Sequence, residues 1–109
     1  MSDLKIKALG AFSPDDPPML IIDHYDDLHF GSGMVEYIFH GLVVRITNDR
    51  SDIYGDIGLV GEGLVSIEKV IAKTHPDART APEVRSAVGI SRYVQANFSR
   101  ILELLNSNR

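Results

Sequence analysis

The chain contains no cysteine. Disulfides, thiolate metal centres and thiol nucleophiles are therefore excluded, and the composition suits a reducing compartment. No apolar run approaches the ~18 residues of a membrane-spanning helix. Residues 1–7, MSDLKIK, lack a long apolar core followed by a small-residue cleavage site, so no signal peptide is expected. This predicts a cytoplasmic protein with no membrane partner. Gly61-Glu62-Gly63 carries no lysine and is not a phosphate loop. A Gly-x-Ser-x-Gly elbow, a His-Glu-x-x-His helix and a dinucleotide fingerprint are all missing. No repeat, heptad or low-complexity tract occurs. These absences point to a protein that is not an enzyme, has no catalytic residues and takes no cofactor.

What is present suits a single domain. The 109 residues, 44% of them hydrophobic, are enough to bury one core without covalent staples. The charge is unevenly spread. Residues 1–62 hold eleven acids against four bases, a balance of −7; residues 63–109 hold four acids against seven bases, a balance of +3. An acidic front half argues against nucleic acid, whose binding depends on phosphate neutralisation. It suits a basic protein partner, because complementary fields speed encounter.

The most legible stretch runs from Gly33 to Val60. Its hydrophobic alternation predicts three antiparallel strands at 34–39, 42–47 and 53–60. His40-Gly41 is a two-residue connection suited to a type I′ hairpin. That turn sets Phe39 opposite Leu42, Tyr37 opposite Val44 and Val35 opposite Ile46, all on one apolar face. A four-residue loop at 48–51 then places Ile46 opposite Ile53, Leu42 opposite Ile57 and Gly55 opposite Val44. The other face carries a row of Glu36, Arg45 and Tyr54, read as a wet surface and a candidate partner contact. Gly55 and Gly58 interrupt the third strand, and a close-packing helix is the expected reason.

The N-terminal third is more ambiguous. Leu4, Ile6, Ala8 and Leu9 suit either a short edge strand or a helix start. Pro14, Pro17 and Pro18 enforce a loop. Residues 19–22 read as a strand leading into an acidic loop, Asp23-His24-Tyr25-Asp26-Asp27, with His29 beyond. Carboxylates and imidazoles are metal ligands and general bases. One reading is therefore a metal- or ligand-binding, enzyme-like domain using Asp23, His24, Asp26 and Asp27. The spacing matches no calcium loop or helical His pair, and no tight metal site is expected. The preferred reading makes Asp15, Asp16, Asp23, Asp26 and Asp27 an acidic partner-binding patch. Gly31, Ser32 and Gly33 form a flexible entry to the sheet.

The last third reads as helical. Leu64, Ile67, Val70 and Ile71 share one helix face, predicting a helix over 65–73. Thr80-Ala81-Pro82-Glu83 has the form of a capping box opening a second helix. Gly89 predicts a kink, with Ser91 as a fresh N-cap for a final helix over 92–106. Val94, Phe98, Ile101 and Leu105 form the packing seam of that helix. Tyr37, Phe39, Val44, Ile46, Ile57, Phe98 and Ile101 are expected to form one buried core. Arg85, Arg92 and Arg100 are expected in solvent.

Phe30-Gly31-Ser32-Gly33, the strand ending at Gly41, the segment LVVRITNDR at 42–50, the strand IYGDIG at 53–58 and the helix VQANFSRILELL at 94–105 together show a family likeness. Over residues 30–105 the chain resembles small bacterial immunity-protein-like families of polymorphic-toxin and contact-dependent growth inhibition systems. The resemblance implies a toxin inhibitor that binds a cognate toxin domain and performs no chemistry itself. The expected fold is α+β: an antiparallel meander of three to five strands with C-terminal helices on one face. It forms a single domain over 1–109, with a strand and loop region at 1–33, the meander at 34–60 and helices at 64–106. A structural subunit that self-associates through a sheet edge, as a homodimer, is a third reading.

Overall fold

The computed structural model describes residues 3–26 and 32–107. It is an α+β fold: an antiparallel meander in the order β1-β2-β3-β4-β5, with helices packed on one face. The elements are α1 (Asp3–Gly10), β1 (Met19–Asp26), β2 (Ser32–Phe39), β3 (Leu42–Asp49), β4 (Asp52–Leu59), β5 (Val65–Ser66), α2 (Ile67–Thr74) and α3 (Ala87–Ser107).

The β2–β3 hairpin follows the expected register, with Phe39 opposite Leu42, Tyr37 opposite Val44 and Val35 opposite Ile46. His40 and Gly41 both take positive φ, 51° and 86°, as a type I′ turn requires. The β3–β4 register differs from expectation by two residues. The loop is Arg50-Ser51 alone, with Asp49 opposite Asp52 and Arg50 at φ 63°. Ile46 therefore faces Gly55 rather than Ile53, Val44 faces Ile57 rather than Gly55, and Leu42 faces Leu59 rather than Ile57. A shift of two keeps every side chain on its face, so hydrophobic alternation does not detect it. It does move charge: Arg45 lies opposite Asp56, and Tyr54 opposite Thr47.

The ambiguous N-terminus is helix α1, which buries Ala8 and leads to the buried Phe12. The Pro-rich segment remains a loop. The acidic segment differs from expectation. Through Asp26 it is strand, because β1 continues antiparallel to β2, with Asp23 opposite Val35 and His24 opposite Met34. Asp27, His29 and Gly31 lie outside the described residues. Ser32 and Gly33 belong to β2 and are not a flexible entry.

The helical region departs most from the sequence reading. Val65-Ser66 pairs with β4 before α2 begins, and Ser66 caps α2 by accepting from the Glu68 amide. Ile67, Val70 and Ile71 are buried as the spacing requires, while Leu64 precedes the helix. Residues 80–86 are not helical. Thr80 instead closes a local turn onto the Asp77 carbonyl. Glu83 works one turn later than expected: its carboxylate accepts from the Arg85 amide and the Ser86 hydroxyl. Ser86 in turn accepts from the Gly89 amide, 3.0 Å, at the start of α3. No kink follows, since α3 is continuous from Ala87 to Ser107. Gly89 sits in the first turn, where a Cβ would collide with the Glu83 carbonyl. The glycine marks the close approach of the capping segment. Ser91 is not a cap but a fully buried residue, whose Oγ lies 2.9 Å from the Tyr37 hydroxyl.

The core lies between the helices and the inner sheet face. α3 packs on β2, β3 and β4, with α1 beside β2 and α2 beside β4 and β5. Tyr37, Phe39, Val44, Ile46, Ile57 and Ile101 are buried together, and Phe98 is partly buried against them. Phe12 adds an aromatic contact that periodicity does not show, with ring centroids 5.2 Å from Tyr37 and 4.7 Å from Phe39. Gly55 makes room for the helices as expected. A Cβ there would lie 3.0 Å from both Ile67 and Ile90.

Candidate functional site on the outer face of the sheet

Strand alternation sends one set of side chains to the core and the other to the opposite face. Among the described residues, the helices pack only on the core side. The registers arrange the outer face in three rows. His24, Met34, Thr47 and Tyr54 form the first; Ile22, Glu36, Arg45, Asp56 and Ser66 the second; Met19, Ile38, Val43 and Gly58 the third.

The second row holds the expected ion pair. Arg45 donates through Nε and a terminal nitrogen to Glu36 Oε1, each at 2.9 Å. The Glu36 side chain is only 13% exposed and that of Arg45 44%, so the carboxylate is held beneath its guanidinium. Asp56, on the far side of Arg45, extends the row to alternating charge. The sequence reading set Tyr54 in this place; the two-residue register shift moves it to the neighbouring row. That row lines a shallow depression of about 340 Å³ together with Ser32, Gly33, Asn48 and Asp49. Tyr54 is 53% exposed, and Met19 and Ile21 at the sheet edge are 59% and 46% exposed.

Asp15 and Asp16 do not adjoin Asp26. Asp15 and Asp16 lie in the loop before β1, and the β1 residues Asp23 and Asp26 lie towards its other end. At about 3.3 Å per residue, β1 alone separates its ends by about 23 Å. Asp16 is engaged at the β2–β3 hairpin, where His40 Nε2 lies 2.7 Å from its Oδ2. The His40 ring also stacks on Phe98 at 4.4 Å. His40 thus ties the N-terminal loop to α3, besides tolerating the left-handed backbone expected of it.

The enzyme-like reading of the same segment needs its side chains to converge, and Asp27 lies outside the described residues. Asp23 and His24 are consecutive in a strand, so they project to opposite faces and do not converge on one ion. Among the described residues, no three His, Asp or Glu side chains come together in a group able to hold a metal.

A second polar cluster joins α2 to α3. Tyr93 Oη lies 2.7 Å from Thr74 Oγ1, which also donates to the Val70 carbonyl and lies 3.0 Å from His75 Nδ1. Arg100 donates to the Thr74 carbonyl at the negative end of α2. It is therefore not simply in solvent, as the sequence reading placed it. Burial pushes the Tyr93 phenol above its ordinary pKa, while the Thr74 hydrogen bond and Arg100 pull it part of the way back. Every group here is accounted for by packing two helices together.

Comparison with family models, curated proteins and solved structures gives no match. No helix among the described residues is long and apolar enough to cross a membrane.

Proposed function

We propose that this protein is a non-enzymatic binding protein that docks a partner protein on the outer face of its sheet. Within that class we infer an immunity protein, acting in the cytoplasm, that occludes the toxin domain of a bacterial polymorphic-toxin or contact-dependent growth inhibition system. The observation that supports the binding reading is the face itself. It combines an exposed tyrosine, an arginine anchored by a sheltered carboxylate, and exposed aliphatic side chains at its margin. Tyr and Arg dominate the energetic centres of protein interfaces, because each presents a large contact area with a polar tip. The immunity reading draws on the sequence resemblance and on the acidic front half, which suits a basic toxin domain.

The test begins with affinity capture from the source cells, identification of the captured protein and reconstitution of the pair from purified components. Tyr54→Ala and Arg45→Ala should each weaken the reconstituted complex about 30-fold, in line with about 2 kcal/mol for an interface hot spot. A reconstituted complex whose Kd is unmoved by either substitution would remove the outer face as the contact. A partner without toxicity when expressed alone would remove the immunity assignment and leave a binding protein of another kind.

A further inference from the structure

We propose that the outer edge of β1 is a docking strand, to which a basic, extended segment of the partner adds by main-chain pairing. The inference rests on the protein-binding reading above and names the chemistry of what is bound.

The two edges of the sheet are built differently. β5 is a two-residue strand and offers almost nothing to pair with. β1 is eight residues long, pairs with β2 on one side, and has no strand on its other side among the described residues. An edge strand of that length turns about four N–H and four C=O groups outward. Edges of this kind are commonly blunted by lysine, by an internal proline, by a bulge or by a covering helix. β1 contains neither lysine nor proline, and the helices make their main sheet contacts with β2, β3, β4 and β5. It has one irregularity, between Leu20 and Ile22, and beyond it residues 22–26 run in unbroken register with β2. Met19 and Ile21 stand exposed at the start of the strand.

Charge selects the occupant. From Ala8 to Val44 the sequence has no lysine or arginine, while Asp15, Asp16, Asp23, Asp26, Asp27 and Glu36 all fall within it. β1, β2 and the segments joining them therefore carry formal negative charge only. The nearest base on the outer rows, Arg45, is already bound to Glu36. A second copy of this chain would bring one acidic edge against another, and like charges across a strand pair are unfavourable. Asp23 and Asp26 are three residues apart, at positions on opposite faces of the strand. An incoming strand with Lys or Arg alternating with apolar residues would therefore place its cations beside one of the two, according to its register. Strand addition supplies main-chain affinity, and the side chains supply selectivity.

The test uses the full ¹⁵N-labelled chain and a capped decapeptide of alternating Lys and Val. A control peptide of equal charge has two central valines replaced by proline. The expected result is at least tenfold slower amide exchange within β1, and binding that weakens about tenfold from low to moderate salt, as a screened attraction does. The control should bind at least tenfold more weakly. Asp23→Asn with Asp26→Asn should weaken the Lys–Val peptide at least threefold. Equal binding of both peptides without added β1 protection would overturn the proposal, since it signifies diffuse charge attraction. No binding at millimolar peptide, or concentration-dependent dimerisation that protects β1 without peptide, would also overturn it. Peptide-induced shifts confined to Met34, Thr47 and Tyr54 would reject the edge while leaving the outer face as the contact.

Discussion

The two faces of the sheet are made from the same strands by simple alternation, yet they follow different rules. On the inner face, Val35, Tyr37, Leu42, Val44, Ile46 and Ile57 are completely buried, and the polar atom brought in with Tyr37 is met by Ser91. On the outer face, Met34, Ile38, Val43 and Thr47 remain partly exposed around the Glu36–Arg45 pair, with Tyr54 more open still. The inner face has its partners within the chain. The outer face has aromatic, aliphatic and charged groups with no helix packed against them among the described residues, although the chain at Gly63 and Leu64 closes over Gly58. Stability should therefore be concentrated on one face, and recognition on the other.

The largest test of that division is a matched pair of truncations. Ile46→Ala, inside, should lower the unfolding free energy by about 2–5 kcal/mol, because it removes buried methylenes and leaves a cavity. Val43→Ala, outside and three residues away, should cost less, about 1 kcal/mol, since its side chain is only partly buried. Urea unfolding with a common m-value reads both. Comparable losses at the two sites would mean that something covers the outer face.

Next comes the closest approach between sheet and helices. Gly55→Val would drive its side chain into Ile67 and Ile90, both fully packed. The expected cost is about 1–3 kcal/mol from overpacking. Thr47→Val, on the outer face, should be tolerated within about 0.5 kcal/mol. A silent Gly55→Val would show that α2 and α3 can move away from β4.

A smaller effect separates the faces by pH. Burial pushes the Tyr37 phenol well above its ordinary pKa, although the Ser91 hydrogen bond offsets part of the shift. Tyr93 is raised for the same principal reason. The folded state thus holds these protons more tightly than the unfolded chain does. The stability they contribute is complete below the unfolded phenol value of about 10 and is lost as the pH climbs through the raised folded values. Alkaline unfolding above about pH 10 should coincide with a jump in phenolate absorbance. Tyr37→Phe should cost about 1 kcal/mol at neutral pH by orphaning the Ser91 hydroxyl, and it should make the alkaline loss shallower. Tyr54→Phe, exposed on the outer face, should leave stability at neutral pH unchanged.

How much of this was legible beforehand follows from what a periodic pattern can carry. The β2–β3 hairpin was readable because a two-residue turn with glycine fixes one register, and three apolar pairs then agree with it. The β3–β4 register was not, because Arg50 takes positive φ without being a turn-forming residue, and a slip of two leaves the hydrophobic faces intact. Alternation placed Glu36 and Arg45 together correctly but set Tyr54 in the position that Asp56 occupies. The capping motif at 80–83 misled because Glu83 does cap, but through Ser86 and one turn further on. Gly89 resembled a helix breaker although its role is steric. Phe12 and Ser91 joined the core through tertiary contacts that leave no local signal. Asp16, Asp23 and Asp26 looked clustered because they are close in sequence, but β1 spaces them out.

The smallest expected effect on stability is the sharpest probe of the outer face. Arg45 is nearly half-exposed, so its ion pair is screened and should contribute at most about 1 kcal/mol to folding. The two ends of the pair are not equivalent, however. Glu36 is the sheltered member. Removing Arg45 leaves a carboxylate short of its donor, whereas removing Glu36 leaves a guanidinium that turns to water. Arg45→Ala should therefore destabilise slightly more than Glu36→Ala, and the double variant should fall short of the sum, a coupling of a few tenths to 1 kcal/mol in a double-mutant cycle. Binding should respond differently. With Glu36 gone, Arg45 loses the anchor that fixes its fork, so Glu36→Ala should weaken the reconstituted complex although Glu36 itself offers a partner little surface. A Glu36→Gln variant, which keeps one acceptor, should recover part of that affinity. If Glu36→Ala leaves the complex intact while Arg45→Ala abolishes it, the arginine is recognised as a mobile charge. If neither matters, the face that the fold leaves open is ordinary solvated surface, and recognition has to be sought at the β1 edge alone.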